Sequence, residues 1–105
     1  VIGKPVRTRT TAEADLQPAI AYYLEEGAFD AALGLVDEFE RALAVIGAHT
    51  GIGSPRLEVE LGIPGVRSFA LRTYPHVIVY FDADEFVDIR HVLHSSRDIP
   101  ARLAD

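Results

Sequence analysis

The sequence predicts an α+β domain of the order β-α-α-β-β-β, with an α-helical hairpin packed on an antiparallel sheet. Three observations predict it. Residues 10–46 carry apolar side chains at helical spacing, broken by a turn at Gly27. Residues 66–93 carry three short runs of β-branched and aromatic residues. The segments between those runs are short enough for hairpins. At 105 residues, with 49% hydrophobic and 25% charged residues, the chain reads as one globular domain over 1–105.

The first element is a short edge strand over residues 4–8. A helix follows over residues 10–26. Thr10 and Glu13 have the spacing of a capping box. Ala12, Leu16, Ala19, Ile20 and Tyr23 form one stripe, and Asp15, Tyr22, Glu25 and Glu26 lie away from it. Pro18 falls on the outer side, where its missing N–H is tolerable. The second helix covers residues 29–46. Its set of Phe29, Ala32, Leu33, Leu35, Val36, Phe39, Leu43 and Ile46 sweeps an arc of about 160°. One partner helix does not need so wide an arc, so this helix should touch both its neighbour and the sheet. Gly47 and Gly51 are expected to stop it.

Residues 48–65 are rich in Gly and Pro and read as a connection, with a short extended piece over 57–61. This stretch lacks the Gly-Lys-Ser/Thr ending of a phosphate cradle. Strands are expected over 66–72, 76–81 and 86–93. In the last, Val87, Ile89, His91 and Leu93 alternate against Phe86, Asp88, Arg90 and Val92. That phase makes His91 a half-buried structural histidine. The helices cover one sheet face, which leaves the other for a partner.

The net charge is −6, and it is unevenly spread. Residues 1–10 hold Lys4, Arg7 and Arg9 and no acid, whereas residues 11–48 hold eight acids against Arg41 alone. This balance argues against a general nucleic-acid binder and leaves room for a local basic site. Lys4 is the only lysine. There is no cysteine, which excludes disulfides, thiol nucleophiles and cysteine-built zinc sites. The histidines lack metal-ligand spacing, so neither a metal nor a cofactor is expected. No apolar run is long enough for a membrane span, and no signal-peptide core follows the basic N-terminus.

Three stretches, TTAEADLQPAIAYYLEEG, GVRSFALRTYPHVIVYF and VDIRHVLHSSRDIP, together resemble the RelE/ParE toxin superfamily, and within it the ParE branch. The ending is the most specific part: such chains close a hydrophobic strand with a similar Arg-x-Val-Leu-His and then Arg-Asp. The resemblance implies a cytoplasmic toxin of a bacterial type II toxin–antitoxin system. It implies a ParD-like, ribbon-helix-helix antitoxin as partner, in a hetero-oligomer. It also implies DNA gyrase as target, with no direct sequence-specific nucleic-acid binding and no chemistry of its own. RelE-like relatives are instead ribosome-dependent mRNA endoribonucleases. A third reading is a non-toxic antitoxin-binding co-regulator.

The ribonuclease reading needs proton transfer and cations on the phosphate. Arg67, Arg72 and His94 are its candidates, with Glu58 or Glu60 completing a Glu-Arg-His set. The interior has no lysine, and His94-Ser95-Ser96-Arg97-Asp98 stands where RelE-like chains place a tyrosine. For gyrase, Arg90, His94 and Arg97 are the candidate target contacts. For the antitoxin, the candidates are Tyr22 together with Leu35 and Phe39 on the wide apolar face.

Overall fold

Four strands and three helices make up residues 3–95, the part of the chain that the computed structural model describes. In order they are β1 (Val6–Thr8), α1 (Thr10–Glu25), α2 (Phe29–Ala48), α3 (Arg56–Leu61), β2 (Val66–Ala70), β3 (His76–Asp82) and β4 (Val87–His94). The sheet order is β1-β4-β3-β2. β2, β3 and β4 form the expected antiparallel meander, while β1 pairs parallel to β4 with Arg7 opposite Asp88. The α+β class stands, and the sheet is mixed.

The helical hairpin covers one sheet face. Leu16 of α1, Leu35, Phe39 and Ile46 of α2, and Ile78, Tyr80, Val87 and Ile89 of the strands share one core. α2 runs through Gly47 to Ala48 instead of stopping at Gly47. The missing Cβ matters there. A side chain at Gly47 would meet Val6 Cγ2 at 2.9 Å, and the Gly47 carbonyl accepts the Lys4 N–H at 2.9 Å. The apolar arc of α2 is narrower than expected: Phe29 and Leu33 are exposed, and Ala42 is buried.

The capping box does not form. Arg9 is the N-cap of α1 and no side chain caps the helix. The first turns of α1 instead serve the sheet. The Arg9 N–H donates to the Ile89 carbonyl at 3.0 Å, one residue past the end of β1. Beyond it, Thr11 Oγ1 donates to the Arg90 carbonyl at 2.9 Å, and Asp15 Oδ2 accepts the Val92 N–H at 2.9 Å. Two helix side chains thus satisfy the strand edge that β1 does not reach.

A bulge sits at the same place. Ile89 pairs with Tyr80 and His91 with Val79, so Arg90 is an extra residue in β4. The bulge shifts the alternation expected for this strand. Val87, Ile89 and Val92 face the helices, while Leu93 faces away. His91 is half-buried, with Nδ1 3.1 Å from Asp15 Oδ2.

The extended piece expected over 57–61 is the helix α3. Leu57 and Leu61, four apart, pack with Val66, Val79, Phe81 and Leu93 on the second sheet face. Val59 is exposed. Arg56 pairs with Glu60 one turn on, at 2.7 Å, and Gly62 ends the helix at φ +67°. The second face is therefore partly covered by the chain itself.

Candidate functional site

The predicted arginines come from strands, so the pleat decides where they point. Val6 packs toward the helices, which sends Arg7 to the second face. Asp88 lies between Val87 and Ile89, both in the core under the helices, and points to the second face as well. Its side chain is only 7% exposed and holds two cations. Arg9 donates from Nε to Oδ1 at 2.9 Å and from Nη2 to Oδ2 at 3.0 Å, and Arg90 donates from Nε to Oδ2 at 2.7 Å. Hydrogen bonds from Arg9, and then from Arg90, hold the Asp88 carboxyl below the usual carboxylate range. Phe81 lies beneath Arg90, and Phe86 lies beneath Arg7, each ring centroid 4.5 Å from its guanidinium carbon. Arg90 is thus on the surface as expected. Arg7 and Arg9 join it, and sequence reasoning missed them. The only signal for them was the basic character of the first ten residues.

His94 belongs to a different environment. It faces His76 across the β3–β4 pair, with ring centroids 5.5 Å apart. Both line a cavity of about 560 Å³ with Pro18, Ala19, Tyr22, Tyr23 and Pro75. The structure therefore brings together Tyr22 and His94, which the sequence reading assigned to different partners. His76, which is buried, was not among the predicted residues. A second hollow of about 550 Å³ lies between α2 and β2, lined by Glu38, Arg41, Val45, Phe69, Leu71 and Arg72 among others. Arg72 sits at its rim. Glu38 accepts the Arg72 and Thr73 N–H groups at 2.7 and 3.0 Å, which ties the β2–β3 turn to α2 and lowers the Glu38 pKa.

Several predicted residues have structural duties. Arg67 Nη1 donates to the Gly53 and Gly51 carbonyls at 2.8 and 3.3 Å. The same loop is held by Tyr80, whose hydroxyl donates to the Thr50 carbonyl and accepts the Gly53 N–H, both at 2.9 Å. Arg67 is therefore a loop clamp. Glu58 accepts the Gly65 N–H, and Glu60 pairs with Arg56. Leu35 and Phe39 are core residues at 0% and 6% exposure, so neither offers a surface to an antitoxin. Tyr22, at 59%, does. Arg97 lies outside the described residues. Among the described residues, no group of three His, Cys, Asp or Glu side chains is placed to hold a metal ion. Among them also, no helix is long and apolar enough to cross a membrane.

The class these observations define is an α+β domain of RelE/ParE-like arrangement, a helical hairpin on one face of a four-stranded sheet. The profile of the family described as ParE toxin of type II toxin-antitoxin system, parDE, matches residues 6–99. The chain belongs to that family and is a ParE-type toxin. Its fold is similar to that of a chain described as "Chromosomal ParDE TA system from P. aeruginosa", with a TM-score of 0.71. That match covers 87% of this chain and 95% of the other at 20% identity. No curated protein matches the chain.

Proposed function

We propose that this toxin acts in the cytoplasm by binding DNA gyrase, blocking replication and growth, and that it does so without chemistry of its own. Membership of the ParE family over residues 6–99 is the observation that carries the reading. The engagement of Arg67, Glu58 and Glu60 in the fold supports it, because those side chains were candidates for ribonuclease chemistry. Arg90 on the second sheet face and His94 at the cavity beside α1 are the proposed target contacts among the described residues, at two separate places, with Arg97 outside those residues.

The proposed antitoxin is ParD-like and neutralises the toxin in a hetero-oligomer. Tyr22 is its proposed contact on α1, and Phe29 and Leu33 replace Leu35 and Phe39 on α2. Phe29 and Leu33 lie four residues apart on one helix face, at 61% and 65% exposure. Exposed apolar pairs of this kind suit a partner's amphipathic segment.

The test is to express the chain alone in a bacterium and follow DNA and protein synthesis by pulse labelling in the first minutes. DNA synthesis should fall first, and the purified toxin should then inhibit supercoiling of relaxed plasmid by gyrase. If protein synthesis falls first, the ribosome is the target, and Arg72 and His94 return as catalytic candidates. If neither falls while the chain is folded, it is a co-regulator.

A further inference from the structure

We propose that Arg7, Arg9 and Arg90 form a docking face for the phosphodiester backbone of nucleic acid, bound without regard to base sequence. The three side chains come from β1, from the residue that follows it and from the bulge of β4; Arg9 and Arg90 bond Asp88 on the second sheet face, and Arg7 stands opposite Asp88 in the β1–β4 register. Two of these cations share the single buried carboxylate of Asp88, in a chain whose net charge is −6. The eight acids of residues 11–48 belong to the helical hairpin on the opposite face. The second face also carries Glu58 and Glu60 on α3, and Asp82, Asp84 and Glu85 stand at the β3–β4 turn, so the positive charge is local to the three arginines.

The cations are held in place before any ligand arrives. Arg7 and Arg90 lie over the Phe86 and Phe81 rings, and Arg9 grips both oxygens of Asp88. Side chains fixed in this way lose little freedom on binding. Donors also remain. Among the described residues, Asp88 takes Nε and Nη2 of Arg9 and Nε of Arg90, which leaves Arg9 Nη1 and both Nη groups of Arg90 for a second acceptor. Planar forks of this kind match phosphate oxygens. An acidic protein segment fits less well. Such a partner anchors through an apolar side chain in a pocket, whereas the Phe81 and Phe86 rings are covered by Arg90 and Arg7. The rings here lie beneath the guanidiniums. Phosphates require only the array of cations. The inference does not depend on gyrase being the target.

The test is fluorescence anisotropy with the purified full chain and two probes, a short labelled DNA duplex and a labelled single-stranded RNA of the same length. Binding to at least one probe is expected at low salt. Its affinity should fall with salt at a log–log slope of about −2 to −3, the value for three neutralised phosphates. Unlabelled competitors of different sequence should compete equally. Arg7→Gln with Arg90→Gln should weaken binding about tenfold at low salt. Arg7→Gln alone does not touch Asp88 and so spares the fold; it should reduce the slope by about 1. The probe that binds more tightly identifies the source of the phosphate. Three results overturn the proposal: no binding to either probe at low salt, binding unchanged in Arg7→Gln, or displacement by poly-glutamate more readily than by nucleic acid.

Discussion

Leu33 and Leu35 stand two apart on α2 and fall on opposite sides of it. Leu35 is fully buried beside Phe39 and the sheet, while Leu33 faces solvent. Leu35→Ala should therefore cost about 2–5 kcal/mol in urea unfolding, the transfer and cavity terms combined. Leu33→Ala should change stability by less than about 0.5 kcal/mol and should instead weaken the antitoxin complex. Equal stability losses for the two variants would mean that α2 presents a different face. Asp88 sets a second expectation at this scale. Its native pKa lies below its unfolded value because Arg9 and Arg90 bond the carboxylate. Its contribution is therefore complete above the ordinary aspartate value of about 3.9 and is lost as pH falls through the lower native value. Asp88→Asn removes that term. Between pH 5 and the acid limit of folding, its melting temperature should fall less steeply than that of the unaltered chain. An identical pH slope would show that Asp88 gains nothing from its arginines.

The β4 bulge and the α3 helix are the elements that the sequence hid, and each was hidden for a local reason. In residues 57–61, Leu57, Val59 and Leu61 alternate as a strand would, but Leu57 and Leu61 also stand one helical turn apart. Both periods fit so short a segment. The left-handed Gly62, the Arg56–Glu60 pair and the pull of Leu57 and Leu61 toward Val79 and Leu93 select the helix. The bulge leaves no mark in a sequence, since one extra residue merely shifts the alternation. The helical hairpin and the meander were legible because their patterns run over many residues and end at Gly27 and at the short turns. The bulge makes a prediction through Asp15. This carboxylate accepts the Val92 N–H and meets His91, in the stretch of β4 that β1 does not reach. Asp15→Ala leaves that amide without its partner and should cost about 1–3 kcal/mol. Hydrogen exchange at Val92 should accelerate more than at Ile78 in the centre of the sheet. Unchanged exchange at Val92 would show that water or another group replaces the carboxylate without loss.

The parallel β1–β4 pairing joins the two ends of the described fold, and the cationic face depends on it. An edge strand over residues 4–8 was readable, but its partner and direction were not, because no local signal links residue 7 to residue 88. The cationic cluster was invisible for the same reason. Arg90 could be picked out within its own strand, whereas Arg7 and Arg9 read as a basic terminus until the pairing sets them against Asp88. β1 has a further duty at the scale of the whole molecule. β4 would otherwise be an outer strand along Val87–Ile89, and an uncovered edge is a template for pairing with another chain. Val6 also packs into the main core, and the Lys4 N–H fastens the segment to α2 at Gly47. A chain lacking residues 1–9 loses these ties together with the Arg9 contact to Asp88. In size-exclusion chromatography with light scattering, it should therefore show a mass that rises with concentration above that of the full chain. Its melting temperature should be lower as well. A shorter truncation that stops before Lys4 keeps β1 and should behave as the full chain does. If the longer truncation matches the full chain in both mass and melting temperature, β1 is dispensable to the sheet. The cationic face would then have to be assembled without its strand.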